Sequence, residues 1–587
     1  MQVSYQHANP NDGRESFLLR FDDKIHDQKT CILVDAGERV NLDDILAEDE
    51  YLSGICLTHA HLDHYRTLGS NLRDGAPIYA TPETAQAITT RLDTEAEHAD
   101  LGAPDDVREA LEPITDWTRI TNDVRIHPVP AGHAPGASGF VVQFSDGNDR
   151  HHLLATGDFT RRRAAGYPGI QTDLPVDAVF LTGATNSTFR DQLTSAVRTV
   201  IERATAGSTV LTTASGSNGV HLAYLLSHIG DTTETAIPVT VAGRVGTLWD
   251  AFEYDHPAVE SVPTFENTEE ILGPGRVTIA GPEVPVSGSS ERLFEAIEDD
   301  EGATLVQVTS GAFEPERSAV CTVDAYEVSN HPREVTIDAV VEDFAPIHVV
   351  VTHQCGHSAD RYKDKYDSFV WATDDRKQYT LYDGEWSGPP WVTDATRRRV
   401  RSRLYRNNGS TVGRSFDNAE VPLPTVDRHD DIDLEAEGID MERLAEDRRV
   451  GSALTETQQS FESDTNATDG TAVTDGEPSD SVAEDGSNGS ASTFETIEEP
   501  EIENSTQDPA SLDEIIDRLD RIENEVTGTR TRATVVDAGD DVTLLRLEQE
   551  SLETELTHGQ SIGITLHGNR MRVTSRKTGS SIEADDA

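Results

Sequence analysis

The chain has 587 residues, with 48 basic and 107 acidic side chains and a formal net charge of −59. That acidity excludes a diffuse electrostatic pull on nucleic acid, so any phosphate contact must come from a local metal site or arginine cluster. The four cysteines, Cys31, Cys56, Cys321 and Cys355, lack CxxC spacing and imply neither a disulfide framework nor a cysteine-held zinc; no apolar run of 18 residues occurs, so a membrane span is excluded and a cytoplasmic protein is expected.

Residues 1–425 alternate short apolar runs with amphipathic stretches, the pattern of an α/β protein. Five apolar runs end in metal-binding side-chain types. CILVDAG stops at Asp35, and GICLTHAHLDH stops at His59, His61, Asp63 and His64. RIHPVPAGH ends at His133, HHLLATGD at Asp158 and PIHVVVTH at His353. Ligands of open α/β sheets gather beyond the carboxyl ends of strands, so these ends are expected to converge. Neutral imidazole and carboxylate suit zinc. The candidates His59, His61, Asp63, His64, His133, Asp158 and His353 exceed the needs of one tetrahedral ion and suit two metals sharing a carboxylate. Two metals about 3.5–4 Å apart can activate water and stabilise both the attacking and leaving oxygens of a phosphoryl transfer.

His151 and His152 open a strand and read as packing residues, and Cys355 and His357 read as structural. Arg161, Arg162 and Arg163 follow Asp158 closely and are candidate contacts for RNA phosphates. TRRRVRSRLYR places six arginines between Arg397 and Arg406, open to two readings: phosphate contacts, or pairing with surface acids.

From 426 to 510 the composition turns to Asp, Glu, Ser, Thr, Gly and Asn, and a disordered acidic linker is expected. Residues 451–510 alone carry 15 acids and no Lys or Arg. A small helix-plus-β module is expected at 511–578. Leu512, Ile515, Leu519, Ile522 and Val526 form a heptad seam, suited to self-association or to packing on its own domain. TRATVVDA, VTLLRL, SIGITLHG and NRMRVTSRK then read as strands of a small barrel or sheet.

THAHLDH, GHAPGASG (132–139) and ATGDF (155–159) resemble the metal-binding motifs of metallo-β-lactamase-fold hydrolases. The long interval between Asp158 and His353, with VSNH ending at His331 and HVVVTH before His353, resembles the β-CASP branch. That branch includes ribonuclease J and the cleavage-and-polyadenylation endonuclease, and the resemblance covers about residues 1–370. It implies an αββα sandwich built from 1–185 and 335–425, with a β-CASP cap inserted at 186–334. It also implies one metal on His59, His61 and His133 and a second on Asp63, His64 and His353, with Asp158 between them. The ions would be two Zn2+, with Mn2+ as the alternative. Asp35 would orient a ligand, and His331 would donate the proton to the leaving oxygen.

The implied activity is a zinc-dependent ribonuclease, endonucleolytic or 5′–3′ exonucleolytic, in mRNA processing or decay. Its partner would be single-stranded RNA more than DNA, with no membrane and with self-association through the cap or the 512–526 helix. Six lysines against 42 arginines, on so acidic a chain, resemble the proteins of halophilic archaea. Two departures stand out. In DAVFLTGATN (177–186), Gly183, or Thr182 if the register slips by one, falls where the branch keeps an acid that supports the His331 position, and Asn218-Gly219 replaces a Gly-Arg pair. They leave open an RNA-binding or complex subunit with weak or no nuclease activity, and a small-substrate metallo-hydrolase.

Overall fold

The computed structural model describes residues 1–445, except 12, 26–27, 93–101, 234, 236, 312–313, 355 and 411–421, together with the backbone of four strands between 533 and 575. The first part supplies β1 (Gln2–His7), β2 (Phe17–Asp22), β3 (Lys29–Val34), β4 (Glu50–Cys56), β5 (Ile78–Ala80) and β6 (Leu111–Pro113). Then come β7 (Thr118–Arg119), β8 (Val124–Pro130), β9 (Ser138–Asp146), β10 (Asp149–Ala155) and β11 (Ala178–Thr182). Six strands follow: β12 (Thr209–Thr213), β13 (Val239–Ala242), β14 (Val259–Val262), β15 (Val277–Ala280), β16 (Ala303–Thr309) and β17 (Thr322–Glu327). The chain returns through β18 (His348–Thr352), β19 (Phe369–Trp371) and β20 (Tyr379–Asp383).

Two seven-stranded sheets result, in the orders β20-β1-β2-β3-β4-β5-β6 and β19-β18-β11-β10-β9-β8-β7. The period of two decides what each face meets. Phe17, Leu19 and Phe21 of β2 pack with Phe140, Val142 and Phe144 of β9 and with Phe180 of β11, forming the core between the sheets. Phe17 stacks on Phe180 with centroids 4.4 Å apart. Burying each such ring contributes roughly 2 kcal/mol. The opposite faces are covered by helices: Ile88 of Pro82–Leu92 packs with Leu18, Leu33 and Ile78, and Ile337, Val340 and Val341 of Glu334–Phe344 pack with Val141, Leu154 and Val349. The layers are therefore α, β, β, α, the expected sandwich.

Between β11 and β18 the chain builds a six-stranded sheet, β14-β13-β15-β12-β16-β17, with every pairing parallel. Helices Phe189–Thr205, Gly216–Thr232 and Arg244–Ala251 cover one face. Gly288–Glu295 packs Leu293 and Phe294 on the other.

The start of the acidic segment departs from expectation. Leu434, Ile439 and Leu444 are buried in the same cluster as the helices of the inserted sheet. Glu437 is fully buried, and its carboxylate accepts hydrogen bonds from Ala165 N, Gly166 N and His221 Nε2, each at 2.8 Å. Average composition concealed these few anchoring side chains among surface acids, so residues 426–445 are not the disordered linker that composition implied. Residues 446–532, with the rest of that linker and the Leu512–Val526 seam, lie outside the described residues. Beyond them β21 (Ala533–Asp537) pairs antiparallel with β22 (Thr543–Leu547), and β23 (Ile562–His567) with β24 (Arg570–Ser575). Among the described residues no helix is long and apolar enough to cross a membrane.

Candidate metal centre

The site forms where strand ends of both sheets meet. β3 delivers Asp35, β4 leads into His59 and His61, and one helical turn, Leu62–Tyr65, carries Asp63 and His64. β8 leads to His133, β10 to Asp158 and β18 to His353. Asp35 and His353 both have left-handed backbones, φ 55° and 46°. Such strain in non-glycine residues persists only where surrounding bonds hold it. His353 N–H donates to Arg14 O at 2.9 Å, and Asp35 N–H to Cys56 O at 2.9 Å.

All seven proposed ligands and His331 come together. His59 Nε2 lies 3.1 Å and His133 Nε2 2.9 Å from His61 Nδ1. Asp158 Oδ1 is 2.7 Å from His353 Nδ1, while its Oδ2 is 2.9 Å from His331 Nε2 and 3.4 Å from His64 Nε2. Asp63 Oδ2 completes a second group, 3.8 Å from His64 Nε2 and 3.6 Å from His353 Nε2.

A further ring of contacts sets which nitrogen faces inward. Asp35 accepts from Thr58 N at 2.8 Å and from the Thr58 hydroxyl at 2.9 Å. With its proton directed to Asp35, the Thr58 hydroxyl accepts from His59 Nδ1 at 3.0 Å, which turns the His59 Nε2 lone pair to the centre. Asp35 Oδ2 also holds His64 Nδ1 at 2.7 Å. His133 Nδ1 donates to Asn330 O at 3.0 Å, which aims its Nε2 inward too.

These contacts allow a test of whether a metal fits. His64 Nε2 is buried without a hydrogen-bond partner. The lone pairs of His59 and His133 converge on one nitrogen of His61, which has at most one proton to share between them. Burial pushes His59 and His133 well below 6.5 and His61 down to about 4, with neighbouring imidazoles adding to it, so these rings stay neutral as ligands must. On the other side burial opposes ionisation, but the surrounding carboxylates outweigh it. They raise His353 to about 9 and hold His64 well above its ordinary value. Asp158 is likewise held well below the carboxylate range despite its burial, by His353, His331 and His64. The cavity thus calls for positive charge amid neutral nitrogen donors, and divalent ions satisfy both demands.

Sequence reading missed several supporting residues. Thr182 donates to Asp158 Oδ1 at 2.9 Å, and the Ser329 hydroxyl lies 2.9 Å from His331 Nδ1. Asn330 Nδ2 donates to His133 O at 2.9 Å. Their only signal in sequence was adjacency to Gly183 and His331.

The arginines that follow Asp158 make contacts within the protein itself. Arg161 pairs with Asp343. Arg163 pairs with Asp431 at 3.0 Å. Arg162 is largely buried, donating to Asn330 Oδ1 at 2.8 and 3.0 Å and to His331 O at 2.8 Å, with Phe189 beneath its guanidinium. Through these contacts the three brace the fold around the site, while Arg161 stays 43% exposed in its surface pair. His151 packs among Phe144, Tyr382 and Trp386. Cys355 and the side chain of His357 lie outside the described residues.

One further His/Asp group, His228, Asp231 and His256, lies in the inserted domain. His256 Nδ1 accepts from Ala258 N at 3.2 Å, so Nε2 carries the proton it donates to Asp231 at 3.0 Å. That leaves His256 no lone pair for a metal.

Comparison with known proteins adds the following. Residues 30–186 match the family model described as a beta-lactamase superfamily domain. Transcription termination factor FttA of Thermococcus kodakarensis is 35% identical over 127 residues, covering 19% of this chain and 19% of that protein. FttA of Pyrococcus abyssi is 29% identical over 177 residues, 25% and 26% of the two chains. A ribonuclease of Thermus thermophilus is 34% identical over 120 residues, 19% of this chain and 27% of that one. The matches therefore span only about a fifth to a quarter of these relatives' length. A solved structure of a protein of unknown function from Enterococcus faecalis V583 aligns with a TM-score of 0.46 at 14% identity, over 65% of this chain and 99% of that one.

Proposed function

We propose, for a chain that carries a metallo-β-lactamase-fold domain of a kind consistent with the β-CASP branch, that it is a two-metal ribonuclease hydrolysing phosphodiester bonds of single-stranded RNA. The carrying observation is Asp158: its carboxylate lies between the His59/His61/His133 group and the Asp63/His64/His353 group, with His331 from the inserted region 2.9 Å away. The names of the relatives, a transcription termination factor and a ribonuclease, support an RNA-directed role.

Two zinc ions held there, or manganese in their place, would lower the pKa of water and neutralise charge building on the phosphate. The chain's own residues do the rest. Asp35, Thr58 and Asn330 fix the tautomers of the ligand histidines, and Thr182 fixes Asp158. His331 is placed to give a proton to the leaving oxygen, with Ser329 holding its far nitrogen.

A second reading, an RNA-binding relative with little cleavage, is favoured by one observation. No acid stands at position 183, and a Cβ there would lie 2.6 Å from Gln354 Cβ. The deciding experiment is RNA cleavage by the full chain in molar KCl, wild type beside Asp158→Ala. Cleavage should fall at least about 1000-fold in the variant, as for loss of a group that holds a metal. A metal-loaded wild type that cleaves neither 5′-phosphorylated nor structured RNA would sink the ribonuclease reading.

A further inference from the structure

We propose that the helix Asp394–Ser410, together with Trp391, is a second contact for single-stranded RNA, remote from the metal ligands. This rests on the ribonuclease reading and extends it to how a long substrate is held.

Residues 395–416 contain seven arginines and no Asp or Glu, in a chain where acids outnumber basic residues 107 to 48. On so acidic a surface an arginine ordinarily finds a carboxylate. Arg399 does, with Nε 2.8 Å from Asp367. Arg397 folds back on the chain before the helix, donating to Val392 O at 3.3 Å and Pro389 O at 3.1 Å. Arg398 and Arg401 do neither. Both are exposed, and among the described residues neither has an ion pair or hydrogen bond. Three positions apart on a helix, they are neighbours on one side of it.

Among the described side chains of this helix, Val400 is the apolar anchor. Val400 is fully buried with Ile347 and Phe369, while the residues flanking it on both sides are charged. Just before the helix stands Trp391, 46% exposed, its ring edge-on to Trp371 at 5.7 Å and to Tyr379 at 5.5 Å. A fixed, half-exposed indole just ahead of a helix that carries two unpaired guanidinium groups suits one ligand chemistry. Guanidinium forks bind phosphate bidentately, and an indole stacks an unpaired base of any sequence. An acidic protein partner would use the arginines but has no need of the ring. Stacking also selects single strands over duplex, because a base must be free to leave its neighbours.

The patch is also far from the ligands. Val400 packs on Phe369, which pairs with His348 at the start of β18, whereas His353 follows the other end of that strand. Five residues of strand separate them, about 16 Å. A long RNA can reach both places; a very short one cannot.

The test is cleavage kinetics with the full, metal-loaded chain on a single-stranded RNA of about 25 nucleotides and on a dinucleotide, lengths above and below that reach. For Arg398→Gln/Arg401→Gln and for Trp391→Ala, KM on the long RNA should rise about tenfold with kcat unchanged, and kinetics on the short RNA should not move. In the double arginine variant the slope of log KM against log[KCl] should fall by about 1.4, two contacts' worth for a single strand, and Arg398→Lys/Arg401→Lys should restore it. If the wild type cleaves the long RNA and the variants match it in KM, the proposal is overturned while the ribonuclease reading stands. A loss that is equal on both RNAs, or a loss of polyglutamate binding in place of RNA binding, overturns it too. If the wild type cleaves neither RNA, the ribonuclease reading fails and this inference falls with it.

Discussion

The hydroxyl of Ser329 lies 2.9 Å from Nδ1 of His331, while Nε2 of the same ring faces Asp158 at 2.9 Å. A neutral hydroxyl two residues away therefore occupies the supporting place that the resembled nucleases give to an acid. The strand that would carry that acid offers Gly183, with its N–H on Thr352 O at 2.7 Å and its carbonyl taken by Arg361 at 3.0 Å. Ser329→Ala should lower kcat about tenfold with little change in KM, the size of one lost positioning hydrogen bond, and Ser329→Thr should recover most of it. Gly183→Asp should not rescue, because its Cβ would meet Gln354 Cβ at 2.6 Å; a lower melting temperature is the expected result. An unchanged kcat in Ser329→Ala would remove Ser329 from the account of His331.

Metal uptake should release protons. Burial works against charge on His353, but Asp158 and Asp63 outweigh it and raise its pKa to about 9, and His64 is held well above 6.5 by Asp35, Asp63 and Asp158. At pH 7.5 the His353 imidazole is charged in the metal-free chain, His64 is shifted in the same direction, and a charged ring must lose a proton to ligate. Titration calorimetry with zinc in two buffers of different ionisation enthalpy should show net release of protons, at least about one, with affinity falling as pH falls. No proton release would contradict the placement of these two histidines as ligands.

Glu437 should matter to stability out of proportion to its acidic neighbourhood. Its buried carboxylate joins the 165–166 backbone to His221 of the inserted domain. Glu437→Ala strips three buried donors of their acceptor, which should cost roughly 3 kcal/mol. Denaturant melts of the full chain would show it as a lower midpoint; a midpoint equal to wild type would mean that water replaces the carboxylate at no cost.

Acid should weaken the fold through His7 and His348. Burial pushes both down to about 3, against 6.5 for an exposed ring; for His7 the charge of Arg14 adds to it. Between those values the unfolded chain binds protons that the folded chain refuses. Their contribution is thus full above pH 6.5 and is lost as pH falls, by up to roughly 1.4 kcal/mol per unit for each ring. Urea midpoints at pH 7 and pH 5 should differ accordingly in the wild type. His348→Gln should narrow the gap, and a gap left unchanged would dissociate acid sensitivity from this ring.

Legible in the chain alone were the α/β pattern, the strand ends and the residue types gathered at them, while the sandwich was implied by the resemblance of the motifs. Strand periodicity and a ligand-type side chain at the end of an apolar run are local signals, written within a few consecutive residues, so His59 through His353 could be named before any contact was seen. Contacts between distant segments were not legible. Arg161, Arg162 and Arg163 looked open because their partners Asp343, Asn330 and Asp431 are remote in sequence. Residues 426–445 looked disordered because three apolar side chains and one carboxylate, scattered among surface acids, bind only once the fold brings the 165–166 backbone and His221 of the inserted domain together. Composition and spacing determined which atoms this protein can offer a metal. Tertiary structure alone decided which donors remain free, because an ion pair or a buried acceptor depends on ångström separations between segments that the order of residues does not specify.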